Sequence, residues 1–284
     1  MREFWSELHA HTDYSNLTLI DCINKVENLI QYAFDLGLRG LAITDHEALC
    51  GHIKARDFIE RKRKSSDEEL AKKWKDFKLI LGNEIYLCRN GLSESNFISG
   101  QDKFYHFILL AKDEIGHSQL QELSSRAWDR SWMKFIRRRP TYYSDIEEII
   151  GQNPGHIIAS TACIGGFLGT TILKYGADSK NKSKYQQGII DFLNWCVNIF
   201  GEENFFLEMQ PSNEEEQVFV NTEIQKISAA MGIPVIITTD AHYLKKEDRK
   251  IHKAYLNSKD GDREVDSFYA STYVMTAEEI HEYM

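Results

Sequence analysis

Residues 35–46 read DLGLRGLAITDH, and this stretch decides the fold prediction. Gly37 stands where a helix needs a C-terminal glycine, so the periodic segment before it is predicted to end there. The run Gly40–Thr44 follows, and it has the length and apolar character of a strand buried on both faces. Asp45 and His46 come directly after it. The stretch therefore predicts a helix, a tight stop, a buried strand and two polar residues at the carboxyl end of that strand.

The same order of features recurs along the chain. Residues 229–242, AAMGIPVIITTDAH, contain the helix stop Gly232 and a second strand followed by polar residues. Seven strands are predicted: Phe4–Leu8, Gly40–Thr44, Lys78–Leu81, Phe107–Ala111, His156–Ser160, Phe205–Met209 and Pro234–Thr238. Six helical segments lie between or after them: Cys22–Leu36, His52–Lys64, Ser118–Ile136, Lys184–Phe200, Glu214–Met231 and Lys246–Ser258. This alternation is typical of an α/β fold, so we predict one domain over residues 1–284 that forms a parallel barrel.

Two segments interrupt the alternation. Arg61–Lys75 is densely charged and contains no strand-like run, which favours a solvated helix or an insertion over about residues 61–76. Arg126–Pro140 interleaves basic and aromatic residues. Such a segment contacts nucleic acid in some proteins, but a helix with one aromatic core face is the favoured interpretation.

The composition is that of an ordinary globular protein, with 42% hydrophobic and 27% charged residues among 284. No apolar run reaches the roughly 18 residues that a membrane span needs, so we expect a cytoplasmic protein without membrane contact. The five cysteines lack CxxC spacing, which excludes a zinc knuckle or a disulfide framework. A net charge of −9 argues against a protein that binds duplex DNA by itself.

Histidines and carboxylates are concentrated next to the predicted strands. His9 and His11 follow the first strand, and residues i and i+2 of a strand point the same way. His46 follows the second strand, and Asp240 with His242 forms another such pair after the last. Because the carboxyl ends of parallel strands meet at one rim of a barrel, we expect these side chains to lie close together.

Glu84 and His106 extend the pattern. Glu84 follows the third predicted strand, whereas His106 precedes its own strand. In a parallel barrel, His106 would then lie lower than the rim, unless the strand boundary is misplaced.

Imidazoles mixed with carboxylates suit Zn, Mn, Fe or Co better than a pure oxygen cage for Ca or Mg. The number of ligands exceeds what one ion needs, which indicates a multinuclear centre. The expected chemistry is hydrolysis, because a bound metal acidifies water and holds phosphate oxygens. No P-loop or GxGxxG motif competes for the chemistry.

Seven stretches together resemble the polymerase and histidinol phosphatase (PHP) family, most specifically the N-terminal PHP domain of the bacterial DNA polymerase III alpha subunit. They are ELHAHTDYSNLTLIDC, LGLRGLAITDHEAL, LILGNEIYL, FYHFILLAKDEIGHSQLQELSS, IIASTACIGG, FFLEMQP and IPVIITTDAHYL. The resemblance implies a distorted (β/α)7 TIM-like barrel with three divalent transition metals, Zn, Mn or Fe, at the C-terminal rim of the strands.

The resemblance also implies two further metal ligands, Asp21 and Cys163. From the residues alone, Cys163 reads as a small core residue. The nine implied ligands are His9, His11, Asp21, His46, Glu84, His106, Cys163, Asp240 and His242. Asp45 precedes a ligand and is expected to orient it, and we predict Asp240, His242 and Asp45 as the catalytic residues. The remaining histidines, His52, His117, His156, His252 and His281, match no ligand position and are interpreted as surface or structural residues.

Two departures from the polymerase pattern stand out. The spacing from His11 to Asp21 is longer than the common one, and the sequence ends about where a polymerase portion would begin. The leading hypothesis is a phosphodiesterase of the proofreading 3′–5′ exonuclease type, acting on a single-stranded DNA 3′ end or a nucleotide. The alternatives are a metal-binding module that braces a polymerase domain, and a small-molecule phosphatase of the histidinol phosphatase type.

Overall fold

The computed structural model describes residues 5–131, 138–177, 181–260 and 268–284. Phe4, and residues 132–137 of the basic and aromatic segment, lie outside this part of the chain. The chain divides into two compact units, residues 1–83 with 238–284 and residues 84–237. They are called the first and the second unit below, and the single domain expected over residues 1–284 stays a prediction.

Strands and helices alternate through the described residues, which confirms the α/β prediction. The strands are β1 (Ser6–Glu7), β2 (Gly40–Ile43), β3 (Lys78–Cys88), β4 (Tyr105–Ala111), β5 (Pro140–Tyr142), β6 (Ile157–Ser160), β7 (Phe205–Met209) and β8 (Val235–Ile237). The helices are α1 (Val26–Asp35), α2 (Gly51–Arg63), α3 (Glu68–Asp76), α4 (Glu114–Asp129), α5 (Tyr143–Ile149), α6 (Phe167–Ala177), α7 (Lys182–Phe200), α8 (Glu215–Met231), α9 (Arg249–Asp260) and α10 (Ala277–Tyr283). In these residues, none of the helices has both the length and the apolar character needed to cross a membrane.

In the first unit, β1, β2 and the start of β3 pair in parallel. Beyond β1, hydrogen bonds tie the backbone to two neighbouring segments: the Thr44 amide donates to the Ala10 carbonyl at 2.9 Å, and the Ala241 amide donates to the His9 carbonyl at 3.1 Å. Apolar side chains of α1, α2 and β2 form the core behind these segments. The chain segments that carry the predicted ligands of this unit are thereby held side by side.

The charged segment is more than a solvated insertion. It forms the end of α2 and most of α3, and Asp67 caps α3 by accepting a hydrogen bond from the Leu70 amide at 3.0 Å. Trp74 is fully buried and stacks on Phe34, with ring centroids 3.7 Å apart. Its charged residues face solvent while one aromatic side chain anchors the helix in the core, which the charge pattern alone does not reveal.

In the second unit, one strand runs against the prediction. β6 with β7 and β7 with β8 pair in parallel, but β4 is antiparallel to β6, with Ile108 opposite Ser160. The expectation of a purely parallel sheet is therefore wrong at this position. The connection from β3 to β4, residues 89–104, forms turns without a helix. A strand that continues parallel to the one before it needs a crossover connection, usually a helix, and this connection has none.

Both predicted helix stops are confirmed. Gly37 and Gly232 have φ values of 83° and 72°, in the left-handed region that glycine adopts without strain. Each ends a helix, α1 or α8, shortly before the next strand begins.

Candidate metal-binding residues

Six of the predicted ligands lie in the first unit, and their side chains gather in one buried cluster. Each is at most 2% exposed. We call this group the histidine cluster, and its members are His9, His11, Asp21, His46, Asp240 and His242.

Three atoms of the histidine cluster converge closely. The Nε2 atoms of His9 and His11 are 3.1 Å apart, and they lie 3.1 Å and 2.9 Å from Oδ1 of Asp240. Ligand atoms about 2.1 Å from one metal are separated by roughly 3.0–3.4 Å in octahedral or tetrahedral geometry. The three atoms thus have the mutual spacing of neighbouring ligands around a single ion.

A second carboxylate, Asp21, meets the other two histidines. Its Oδ2 lies 3.0 Å from Nε2 of His46 and 3.3 Å from Nε2 of His242. His11, His46 and His242 offer ring nitrogens within 4.8 Å of one another. Oδ1 of Asp21 is buried and accepts no hydrogen bond from the described residues. Since an ionised buried oxygen without a donor is costly, this atom fits the role of a metal ligand.

The cluster keeps its carboxylates ionised. Burial alone raises the pKa of Asp21, but His46 and His242 outweigh it and hold that pKa well below the ordinary value. Burial likewise opposes ionisation of Asp240, and the charges of His9 and His242 lower its pKa. Metal ligands must be deprotonated, so this electrostatic environment suits metal binding. Asp240 also has a left-handed backbone, with φ at 50°, and such strained residues are concentrated at functional sites.

Asp45 lies behind the cluster and acts through Ser15. Its carboxylate accepts hydrogen bonds from the Thr12 amide at 2.6 Å, the Thr12 hydroxyl at 2.7 Å and the Ser15 hydroxyl at 2.8 Å. The Ser15 oxygen in turn lies 3.0 Å from Nδ1 of His11 and 3.1 Å from the His46 amide. Burial raises the pKa of Asp45 to about 6. These contacts put Asp45 two hydrogen bonds away from a ring nitrogen of His11, which suits the expected orienting role, and its catalytic role stays a prediction.

Glu7 is a buried carboxylate that the sequence reasoning did not single out. It accepts hydrogen bonds from the His9 amide at 2.9 Å, the Thr239 amide at 3.1 Å and the Thr239 hydroxyl at 2.6 Å. Burial raises the pKa of Glu7 to about 7. Glu7 therefore ties together the two segments that carry His9 and Asp240. A carboxylate within the predicted strand Phe4–Leu8, two residues before His9, was the available signal.

The other three predicted ligands lie in the second unit. Nδ1 of His106 is 3.0 Å from Oε1 of Glu84 and 3.5 Å from Sγ of Cys163. Glu84 and Cys163 are buried, and His106 is 21% exposed, so this group of side chains opens to solvent at the imidazole. A carboxylate, an imidazole and a thiol in contact form a suitable donor set for a transition metal.

The antiparallel direction of β4 explains the position of His106. His106 is near the start of β4, and Cys163 follows the end of β6. Because the two strands run in opposite directions, the start of one lies beside the end of the other. His106 therefore lies beside the carboxyl end of β6. Its position before its own strand is thus consistent with a place next to Cys163.

Comparisons with known proteins agree with the resemblance. A family model described as the PHP domain matches residues 7–212. The "Probable DNA polymerase YorL" of Bacillus subtilis strain 168 is 45% identical over 284 residues, which cover 97% of this chain and 21% of that protein. The DNA polymerase III subunit alpha of Borreliella burgdorferi is 31% identical over 252 residues, covering 87% of this chain and 19% of that protein. The chain spans about a fifth of the length of these relatives.

Among solved structures, an amidohydrolase from Chromobacterium violaceum matches with a TM-score of 0.46 and 11% identity, over 84% of this chain and 87% of that one.

The family model covers more than half of the 284 residues. The match begins at Glu7 and includes His9, His11, His46 and Glu84. By this match the chain belongs to the PHP domain family.

Proposed function

We propose that this protein is a metal-dependent phosphoesterase that hydrolyses phosphodiester bonds of DNA, as a 3′–5′ exonuclease of the proofreading type. The observation that carries the proposal is the buried convergence of His9, His11 and Asp240, whose ligand atoms lie within 3.1 Å of one another. Buried imidazoles around an ionised carboxylate have the donor chemistry of a hydrolytic transition-metal site.

All nine residues implied by the family resemblance are proposed as ligands of three divalent transition metals, Zn, Mn or Fe. In the second unit these are Glu84, His106 and Cys163, and in the first unit they are the members of the histidine cluster. Three such ions would bring six positive charges, against four from three carboxylates and a cysteine thiolate. About two positive charges would remain, which favours binding of an anionic phosphoester.

The metals, when bound, would supply a water that ionises near neutral pH and would hold the phosphate oxygens. Asp240 and His242 are the proposed catalytic residues at the reacting phosphate. The Nδ1 atom of His242 lies 2.6 Å from the Asp240 carbonyl, which directs Nε2 away from the backbone. Asp45 and Ser15 keep His11 in place. These contacts fix the side chains before a substrate arrives, which lowers the reorganisation required during the reaction.

The relatives support DNA as the substrate class, because their names describe DNA polymerases. We propose a single-stranded DNA 3′ end or a nucleotide as the bound phosphoester, and a polymerase domain as the partner. Within the second unit, the partly exposed His106 is the proposed point at which a phosphoester reaches the group formed by Glu84, His106 and Cys163.

The test is release of nucleotides from the 3′ end of a 5′-labelled single-stranded oligonucleotide by metal-loaded protein. Asp240→Asn and His9→Ala should lower the rate about 100-fold, since the first removes the negative charge of a ligand and the second removes a ligand. His156→Ala is the matched control, because His156 pairs with Asp113 at the surface and should leave the rate unchanged. Equal rates for all four proteins would contradict the proposal. Faster turnover of a phosphomonoester than of the oligonucleotide would favour a small-molecule phosphatase.

A second candidate is a metal-binding module that braces a polymerase without catalysis. It is favoured by the fact that the chain matches only about a fifth of its polymerase relatives. This function predicts a large loss of thermal stability on chelation and no turnover of any phosphoester. Measurable hydrolysis that disappears in Asp240→Asn would exclude it.

A further inference from the structure

In the long segment between His11 and Asp21, the side chain of Asn16 holds the backbone in a turn. Asn16 accepts hydrogen bonds from the amides of Asp21 and Cys22 at 3.0 Å and 3.2 Å, and its amide group donates to the Cys22 carbonyl at 2.8 Å. These bonds fix the backbone turn around Asp21. They do not reach the carboxylate of Asp21, whose direction must be set by other contacts.

Two residues from the C-terminal part of the first unit contact Asp21, one at its backbone carbonyl and the other at its carboxylate. Nε2 of His252 donates to the Asp21 carbonyl oxygen, and the Tyr269 hydroxyl donates to Oδ2 of Asp21 at 3.3 Å. His252 is fully buried and Tyr269 is 8% exposed. The Tyr269 ring also meets the imidazoles of His242 and His252 edge-on, with centroids 5.0 Å away in both cases. Tyr269 is thus packed between Asp21 and one of the clustered histidines.

The two residues are themselves held in place. The Tyr243 hydroxyl donates to the Tyr269 carbonyl at 2.7 Å, and Tyr243 directly follows His242 in the chain. Because His252 donates through Nε2, its Nδ1 is the acceptor in the neutral ring, and the Arg249 guanidinium lies 3.3 Å from that atom. Both donors to Asp21 therefore have a fixed direction.

We propose that Tyr269 and His252 are positioning residues for Asp21: Tyr269 holds its carboxylate toward a bound metal, and His252 holds the backbone that carries it. This inference rests on the proposed metal binding and extends it to residues that lie outside the matched family region, 7–212. Removing the hydroxyl leaves the ring packing intact but removes one donor to Oδ2 of Asp21, so that the contacts with His46 and His242 must hold the carboxylate. Loss of such an outer hydrogen bond to a ligand typically weakens metal affinity about 10–100-fold.

The experiment compares Tyr269→Phe with Tyr273→Phe, which loses a buried hydroxyl that meets Glu279 at 3.2 Å instead. Zinc affinity is measured by competition with a chelator, and melting is measured on the metal-free proteins. Tyr269→Phe should bind its weakest zinc at least about 10-fold less tightly than wild type, whereas Tyr273→Phe should match wild type. The two metal-free variants should melt within a few degrees of each other, because each loses only one hydroxyl.

A double-mutant cycle with Asp21→Asn separates positioning from general destabilisation. If Tyr269 acts through Asp21, adding Tyr269→Phe to Asp21→Asn should cause no further loss of zinc affinity. An equal loss in both backgrounds, or wild-type affinity in Tyr269→Phe, would overturn the inference and leave the proposed function standing. A wild-type protein that binds no zinc, manganese or iron would overturn both.

Discussion

At the scale of single residues, Ser15 decides which nitrogen of His11 is free. Its hydroxyl donates one hydrogen bond, to Asp45 at 2.8 Å, so the contacts with His11 and the His46 amide must be ones it accepts. Nδ1 of His11 therefore carries the proton, and Nε2 keeps its lone pair toward Asp240. This is the tautomer that a metal ligand needs.

Ser15→Ala tests that assignment. The substitution removes the acceptor for two N–H groups, so we expect metal affinity to fall about 10-fold and the free energy of unfolding to fall by about 1–2 kcal/mol. Ser125→Ala, which removes an exposed hydroxyl bonded to its own helix, is the control and should change neither. Chelator competition and urea denaturation measure the two quantities. Unchanged metal affinity in Ser15→Ala would contradict the assigned role.

The sequence predicted the members of the histidine cluster better than the residues that hold them in place. His9 and His11 follow a predicted strand at i, i+2 spacing and Asp240 follows an apolar run, so local spacing was sufficient to bring them together in the prediction. Tyr269 and His252 contact Asp21 across more than 230 residues of chain, and no local pattern encodes such a contact. His252 was interpreted as surface or structural, and the structure buries it fully.

At the scale of elements, strand direction was the feature that local sequence could not supply. The apolar run of β4 was recognised, yet an apolar run reads the same whether its neighbour is parallel or antiparallel. β5 was missed because it has only three residues, Pro140–Tyr142. The two helix stops were predictable, because a left-handed residue after a helix has a strong preference for glycine.

The glycine at the end of α8 gives a prediction with an internal control. Gly232→Ala should lower the free energy of unfolding by about 1 kcal/mol, because φ at 72° strains any side chain although no atom lies within 4 Å. Gly188→Ala, inside α7, also meets no atom within 4 Å and should raise stability by about 0.5–1 kcal/mol. Thermal or urea unfolding measures both. The same sign for both substitutions would contradict this account.

The start of α5 gives a prediction about pH. Asp145 accepts hydrogen bonds from both terminal nitrogens of Arg130, at 2.8 Å for Nη2, and from the Tyr142 amide at 2.8 Å. Burial alone raises the pKa of Asp145, but these bonds and the Arg130 charge outweigh it and hold the pKa below its ordinary value. A lowered pKa means that the carboxylate stabilises the fold at pH values above about 4 and loses that effect as the pH falls below.

Asp145→Asn should therefore cost about 2 kcal/mol at pH 7, and its difference from wild type should shrink as the pH falls below about 4. Urea unfolding at both pH values measures the difference. Glu148→Gln is the control, because Glu148 pairs with Arg126 at the surface, and its effect should be much smaller. A difference that stays constant down to low pH would contradict the role of the ionised carboxylate.

At the scale of the whole molecule, the net negative charge of the chain opposes binding of the proposed DNA substrate. A chain with a formal charge of −9 repels a DNA strand, so binding of an oligonucleotide would depend on the metals. The relatives place a homologous region within DNA polymerases about five times longer than this chain. Because the net charge opposes DNA binding, metal occupancy is the property on which the proposed function depends.

Elemental analysis of the purified protein tests this central claim most directly. We predict close to three transition metals per chain in wild type, at least one fewer in Asp240→Asn, and the wild-type content in His156→Ala. Wild-type protein without stoichiometric metal, or an Asp240→Asn variant that retains the full content, would contradict the account.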